Sequence, residues 1–450
     1  MPYTPISSTT VIFDTLAVNQ RGFGTPLILD EHNYTLERIK FYDKDSYQTD
    51  LPAYSKAYKA VSAAFSVNPA PELVALGRRK CNATLLPDVP TVGDVFSVRI
   101  SYGSTFTDIT YTAPASPTVT SVGAAIAGLI NGVPAVAAVL SANSVAGLIT
   151  LTPVGAGIFK ISAPVKLTVG NVATAENIAA TMVAIQAESI DFTAIFETSR
   201  GQTAITELSD WVAANQDYVM SYATSLNTTY STDYSAVSAD FPSVFKRAGR
   251  PHNVFPVYVQ AAELDKFPEV RIFANRARSQ PGDVIYSNMT NLGIEPAKAD
   301  TGALLTKAEL ARLDARGLSY FEYVNGIVTL RRGRSQGAGD AAWADDTMVK
   351  IFTIARIDEA VQTRLFNTNS RKLGGRPGYI ALVNVIESVM NNMTSTGTIS
   401  RAFQEGSVEI TIPTDDEIRE ARPSRIAKIN VTAKLESAWD SAETTITFSY

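Results

Sequence analysis

Two histidines, one cysteine and a few short charged or glycine-rich runs are the residues here whose types could do chemistry. His32 and His252 are the only imidazoles. Neither has a second His or a Cys at a metal-ligand spacing, so a surface or satisfied core histidine is the better reading of each. Cys81 follows Arg78, Arg79 and Lys80, whose charge would depress a thiol pKa and favour a nucleophile. A small apolar filler at a strand end is the competing and preferred reading. Gly333-Arg334-Ser335-Gln336-Gly337-Ala338-Gly339 has the glycines of a phosphate-cradling loop but lacks Gly-x-x-x-x-Gly-Lys-Ser/Thr, and a flexible surface loop is expected. Arg331, Arg332 and Arg334 either meet an acidic partner surface or are simply solvated. Asp415-Asp416-Glu417 offers oxygens for a cation, yet Arg419, Arg422 and Arg425 follow at once, a mixture typical of exposed or subunit-contacting surface. Asp345-Asp346 suits the positive end of a helix dipole. Gly-x-Ser-x-Gly and His-Glu-x-x-His are absent. No catalytic constellation is legible, and no cofactor or metal is expected.

The totals narrow the classes further. A chain of 450 residues exceeds the size at which single cores stop growing, so several domains are expected. A formal charge of −5 argues against sequence-independent nucleic-acid binding. One cysteine excludes an intramolecular disulfide. The most apolar stretch, from Ile109 to Ala175, carries only Lys160 and Lys166 as charges. Pro114, Pro117, Gly123, Gly128, Gly132, Pro134, Gly147 and Pro153 break it, so membrane insertion is not expected. No secretory leader is legible, and a soluble chain made in a cytoplasm is anticipated.

The elements that would position these residues follow an α/β rhythm with one interruption. Gly22 to Leu29 reads as a turn feeding a buried strand, Leu51 to Val67 as a helix stopped at Asn68-Pro69, and Glu72 to Arg78 as a second strand, a crossover unit. From Ala83 to Val169 the chain turns rich in Thr, Val, Ala and Gly. Asp94–Ile100 and Phe106–Tyr111 alternate as paired strands, Val119–Leu129 suits a small-residue helix, and Leu148–Thr152 and Ile158–Ile161 are further short strands. This is read as a β-rich insertion. The rhythm then resumes with a strand at Phe192–Phe196, a helix at Thr203–Ala214 and a strand at Tyr218–Tyr222. Asn227 to Pro242 reads as a loop, Leu305 to Ala315 as a helix. Asn325-Gly326 turns a hairpin between Tyr320–Tyr323 and Ile327–Leu330. Ala344 to Phe366 is the longest helix, with Ile354, Ile357, Val361 and Leu365 in one stripe. Tyr379 to Met393 places Ile380, Val383, Ile386, Met390 and Met393 together, and Ala427 to Leu435 alternates as a half-buried strand.

Both ends of the chain carry strand patterns. Ile446, Phe448 and Tyr450 alternate with Thr445, Thr447 and Ser449, and Val11-Ile12-Phe13 is strongly β-favouring after a polar run. Chain ends are ordered only when something ties them down. Such ends imply a sheet waiting for them, in the same subunit or a neighbour.

In this arrangement the chain resembles the tail sheath proteins of contractile-tailed bacteriophages. Gly22-Phe23-Gly24-Thr25-Pro26-Leu27-Ile28-Leu29 is similar to the family's early strand. Tyr54 to Phe65 with Pro69-Ala70-Pro71 to Leu76-Gly77-Arg78 resembles its Ala/Tyr helix and the strand that follows. Phe192 to Ala223 is similar to the next strand, Trp-bearing helix and strand. Gly337 to Asp346 resembles the entry to a long helix, although Gly339-Asp340 stands where Ser-Gly is usual and Trp343 is displaced by one residue. The likeness covers most of the chain outside the insert and the Ser/Thr/Tyr-rich loop.

The resemblance implies a multidomain mixed α+β protein. Its α/β core is assembled from N- and C-terminal parts of the chain, with a β-rich insert and extended arms. The corresponding boundaries are 1–20 for the N-terminal arm, 21–82 and 344–436 for the core, 83–190 for the insert, 191–343 for a middle α/β region and 437–450 for the C-terminal arm. It implies a non-enzymatic subunit of a helical homo-oligomer in the virion, assembled in the host bacterial cytoplasm. Its partners would be a tail tube protein and the baseplate and tail terminator proteins, without direct nucleic-acid contact. Arm strands 11–13 and 445–450 would pair with neighbours. The stripe Ile354, Ile357, Val361, Leu365 with Ile380 and Val383 would be tube-facing or, equally well, ordinary core. A phage-associated glycan hydrolase or an adhesin module are the alternatives.

Overall fold

Leu27-Ile28-Leu29-Asp30 is buried at every position, the pattern of a strand covered on both faces. The computed structural model describes residues 23–155, 157–172, 176–235, 237–248, 253–281, 283–336, 343–367, 375–394, 408–421 and 428–434. In it β1 (Leu27–Glu31) is followed by β2 (Ile39–Tyr42), the helix Lys56–Phe65 and β3 (Val74–Arg79). Ser55 caps that helix, its Oγ accepting the Tyr58 N–H at 3.0 Å, and Ala57, Ala60, Val61 and Ala64 form its buried face. β1 and β3 run parallel with Leu27 opposite Ala75, so the expected crossover unit is present. β2 was not legible: four residues including Lys40 are too short to show a period, and only pairing with β3 defines the strand.

The insert contributes β4 (Asn82–Pro87), β5 (Val95–Tyr102), β6 (Thr105–Thr112), β7 (Leu140–Val145), β8 (Leu148–Pro153), β9 (Lys160–Val165) and β10 (Leu167–Val172). They form one sheet in the order β10-β4-β8-β7 and another in the order β6-β5-β9. With the helix Val119–Asn131 they enclose a separate core that includes Phe96, Ile100, Ile126, Ile130, Ile149, Leu151 and Phe159. Gly123 lets the helix approach the β7–β8 turn, because a Cβ there would lie 2.8 Å from the Gly147 Cα. The β-rich core closes at β10. The helix Ile178–Glu188, placed with the insert by the expected boundary at 190, instead packs Ile178, Met182 and Ile185 against the main sheet.

β11 (Ala194–Glu197), β12 (Val219–Thr224), β13 (Val254–Tyr258), β14 (Ser319–Val324) and β15 (Ile327–Arg331) complete the main sheet, whose order is β15-β14-β13-β12-β11-β1-β3-β2. Neighbours from β3 to β14 are parallel, and antiparallel β2 and β15 close the edges. Residues 21–82 and 191–343, separated in the reading of the sequence, thus contribute to one sheet. The helix Gln202–Ala214 buries Ile205, Leu208, Trp211 and Val212 as expected. Phe273 of the helix Pro268–Arg276 packs on Phe196 and Phe255. Two expected loops are corrected. Within 227–242 a one-turn helix, Thr228–Ser231, buries Tyr230 against Tyr258, and Asp240 caps the helix Phe241–Arg247. Ser335 and Gln336 are fully buried, with the Gln336 side chain held between the Tyr222 hydroxyl and the Pro242 carbonyl, so these two residues are no flexible surface loop; Gly337, Ala338 and Gly339 lie outside the described residues.

The described residues between 349 and 434 cluster as a second unit, which holds most of the helix Ala344–Asn367. Its helix Arg376–Thr394 buries Tyr379, Leu382, Val383, Ile386, Met390 and Met393. β16 (Glu409–Thr411) and β17 (Asn430–Thr432) form an antiparallel pair joined through the helix Asp415–Ala421. No helix among the described residues is long and apolar enough to cross a membrane.

Candidate functional site

In a parallel sheet, chemistry usually sits beyond the carboxyl ends of the strands, where the strand order reverses. Here that point lies between β1 and β11, since the chain goes from β1 to β3 on one side and to β11 on the other. The strand ends present Asp30 and Glu31 from β1, Arg78 and Arg79 from β3, and Glu197 from β11. Asp30 is 5% exposed and accepts a hydrogen bond from the Thr198 hydroxyl. Burial pushes its carboxyl up to about 7, and the Glu197 carboxylate adds to the rise. Glu197 is 2% exposed and is likewise raised by burial. Its Oε2 accepts the Ser199 hydroxyl at 2.6 Å and the Arg200 N–H at 3.0 Å. Arg200 pairs with buried Glu269 at 2.6 Å and lies over the Phe267 ring.

Beside this cluster, Arg79 pairs with Glu31 at 2.9 Å and Arg38 with Glu176 at 2.6 Å. His32 is fully buried, and burial beside the Arg78 guanidinium holds its imidazole well below the ordinary value, hence neutral. Its Nδ1 accepts the Tyr34 N–H at 3.2 Å. Burial pushes the Cys81 thiol up to about 12, which removes the nucleophile reading and leaves the packing one. No group of His, Cys, Asp and Glu among the described residues could hold a metal ion. Shifted carboxyls are what a functional site would show. At these exposures, however, no substrate reaches either acid unless the side chains above it move. The sequence reading missed this network. Its only local signal was the run Arg78-Arg79-Lys80, too basic for an ordinary strand end.

The other candidate residues resolve mostly into pairs. Arg331 bonds Glu322 at 2.9 Å, Arg332 bonds Asp314 at 2.9 Å, and Arg334 lies 5.0 Å from the Trp343 ring centre. Asp415 meets Arg376 at 3.2 Å, while Glu417 accepts the Thr414 N–H at 2.7 Å as a helix cap. His252, the arm residues Val11, Ile12 and Phe13, and Thr445, Ile446, Thr447, Phe448, Ser449 and Tyr450 lie outside the described residues. On the long helix the buried positions are Ala344, Thr347, Met348, Val349, Ile351, Phe352 and Thr353. The expected stripe is open: Ile354 is 43% and Leu365 46% exposed, with Ile357 and Val361 intermediate. Ile380 is 42% exposed, whereas Val383 is buried. A cavity beside β16–β17 is lined by Tyr379, Thr411, Glu417, Lys428 and Asn430.

No family model matches the sequence, and no curated protein matches it. Solved structures do match along its length. A chain of the six-fold symmetrised baseplate of the anti-feeding prophage is 12% identical, with a TM-score of 0.54 over 99% of this chain and 99% of that one. A chain of an extracellular contractile injection system, from its sheath complex in the contracted state, is 10% identical, with a TM-score of 0.54 over 99% of this chain and 98% of that one. At such identity the likeness is one of fold. The chain is a mixed α+β protein that shares its fold with a chain of the anti-feeding prophage baseplate and a chain of the sheath complex of an extracellular contractile injection system.

Proposed function

We propose that this chain is a structural subunit of a contractile tail sheath. It polymerises helically around a tail tube through strand exchange by its terminal arms, and the lattice shortens to drive the tube through the host envelope. The observation that carries this reading is the two-stranded sheet β16–β17. Two strands of this length are marginally stable at best alone in water, and no third strand joins them among the described residues. Residues 11–13 and 445–450 have strand patterns of comparable length. Added to the open edges from neighbouring copies, they would complete a sheet by backbone pairing. Such a head-to-tail contact propagates into a helical tube instead of closing. Burial of Ile446, Phe448 and Tyr450 would contribute roughly 1.5–3 kcal/mol each before ordering costs. The shared fold of sheath and baseplate chains supports the same reading.

On this reading residues 1–20 and 437–450 act as arms, and the open stripe Ile354, Ile357, Val361 and Leu365 with Ile380 is the surface that meets the tube. Apolar groups left open along one helix suit a surface that a partner covers. Tube, baseplate and terminator proteins would be the partners, in a virion or phage-tail-like particle assembled in the bacterial cytoplasm. Negative-stain microscopy of the concentrated full chain should display long striated tubes. Deleting 443–450 should leave a folded chain that forms none; tubes from the truncated chain would refute strand donation.

A further inference from the structure

The chain leaves the main sheet at the end of β3 and returns to it before Ile178, with the whole β-rich insert between. A tether that lets an insert swing freely is exposed and rich in Gly and Ser. Here the outgoing end is charged, and Arg78, Arg79 and Cys81 in it are buried. Arg78 has no exposed surface, and its guanidinium reaches three acceptors. The Thr35 carbonyl and the Asn33 Oδ1 (2.6 Å) lie on the β1–β2 connection, and the Phe159 carbonyl (2.9 Å) lies in the insert. The Ile161 N–H of the insert donates back to the Asn33 carbonyl at 3.1 Å, and the Asn33 amide reaches the Cys81 Sγ at 3.1 Å.

Glu176, on the way back to the main sheet, is tied as firmly. Glu176 takes both terminal nitrogens of Arg38 (2.6 and 3.2 Å) and the Lys80 N–H, and its carbonyl accepts Arg79 Nε at 2.8 Å. Arg38 also donates to the Arg78 carbonyl at 3.1 Å, and Asn171 of β10 donates to the Glu31 carbonyl at 3.2 Å. The outgoing residues are therefore bonded to Glu176, β4 to β10, and both ends of the crossing to the core. A buried guanidinium resists any movement that strips it of acceptors, because the charge would then stand unpaired.

We propose that this junction is an orientation lock: Arg78 and Glu176 hold the β-rich insert in one pose on the main sheet, so that sheet and insert move as a single rigid body. The lock is a property of the single chain and stands whether or not the chain builds sheaths.

Spin labels at Ala124→Cys, exposed on the insert helix, and Gln202→Cys, exposed on a core helix, read the pose by pulsed dipolar spectroscopy. The labelled chain is diluted into unlabelled chain so that only intrachain distances count; buried Cys81 stays unlabelled. One narrow distance distribution is expected. Glu176→Gln and Asn33→Ala, each checked for folding by circular dichroism, should broaden it and speed hydrogen exchange of the Ile161 amide at least tenfold. A broad or two-peaked distribution in the parent chain overturns the lock, as does a distribution that stays narrow in either folded variant. If neither variant folds, the parent decides: an Ile161 amide exchanging at loop rates refutes the proposal, and a protected amide with a narrow distribution supports it.

Discussion

Asp30 shows how one residue couples this fold to protons. Its carboxyl titrates near 3.8 in an unfolded chain and near 7 in the folded one, because burial opposes the charge more than the Thr198 hydroxyl and Lys56 favour it. The folded chain therefore holds a proton that the unfolded chain releases. The stabilisation is complete below about pH 3.8 and is lost as pH rises through about 7. Each pH unit between the two values corresponds to about 1.4 kcal/mol, so a few kcal/mol are at stake. Asp30→Asn keeps the shape and the acceptor for Thr198 without the charge. Urea midpoints should rise in this variant at pH 8 and converge with the parent at pH 4. A constant difference at both pH values would show that Asp30 does not titrate as its burial dictates.

At the scale of the element, the two long helices of the second unit separate folding from surface. Ile386 is 4% exposed and Ile354 43% exposed, although both sit on apolar stripes of similar strength. Ile386→Ala should cost about 2–5 kcal/mol, the range for a large-to-small change in a packed core. Ile354→Ser should shift the thermal midpoint little and, on the proposed tube contact, reduce sheath formation around tubes in a co-assembly assay. Equal losses of stability in the two variants would mean that the open stripe is covered within the chain itself.

At the scale of the whole molecule, the insert owns a core of its own, from Ala83 and Leu85 to Phe159 and Leu167, separate from the main sheet's. A segment with its own core folds alone. A fragment spanning residues 82–172 should accordingly unfold cooperatively on heating and give dispersed amide resonances. A molten, non-cooperative fragment would place the insert's stability in the junction instead.

Local pattern was enough for much of this architecture. Asn325-Gly326 specified its hairpin because few residues other than Asn and Gly accept the turn's positive φ, seen here at both positions. Ile205, Leu208, Trp211 and Val212 specified the buried face of their helix through spacing alone. β13 stayed hidden because Pro256 reads as a strand breaker; its missing donor is tolerated because pairing with β14 begins only at Val257. The sheet order, the burial of Arg78 and the exposure of Ile354 and Leu365 were decided only in three dimensions. A period reports which residues share a face, but what covers that face is set by segments far away in the chain. Arg78 makes the point: in sequence it is one of three basic residues at a strand end, and only Asn33 and Phe159, brought to it by the fold, make it a buried clasp.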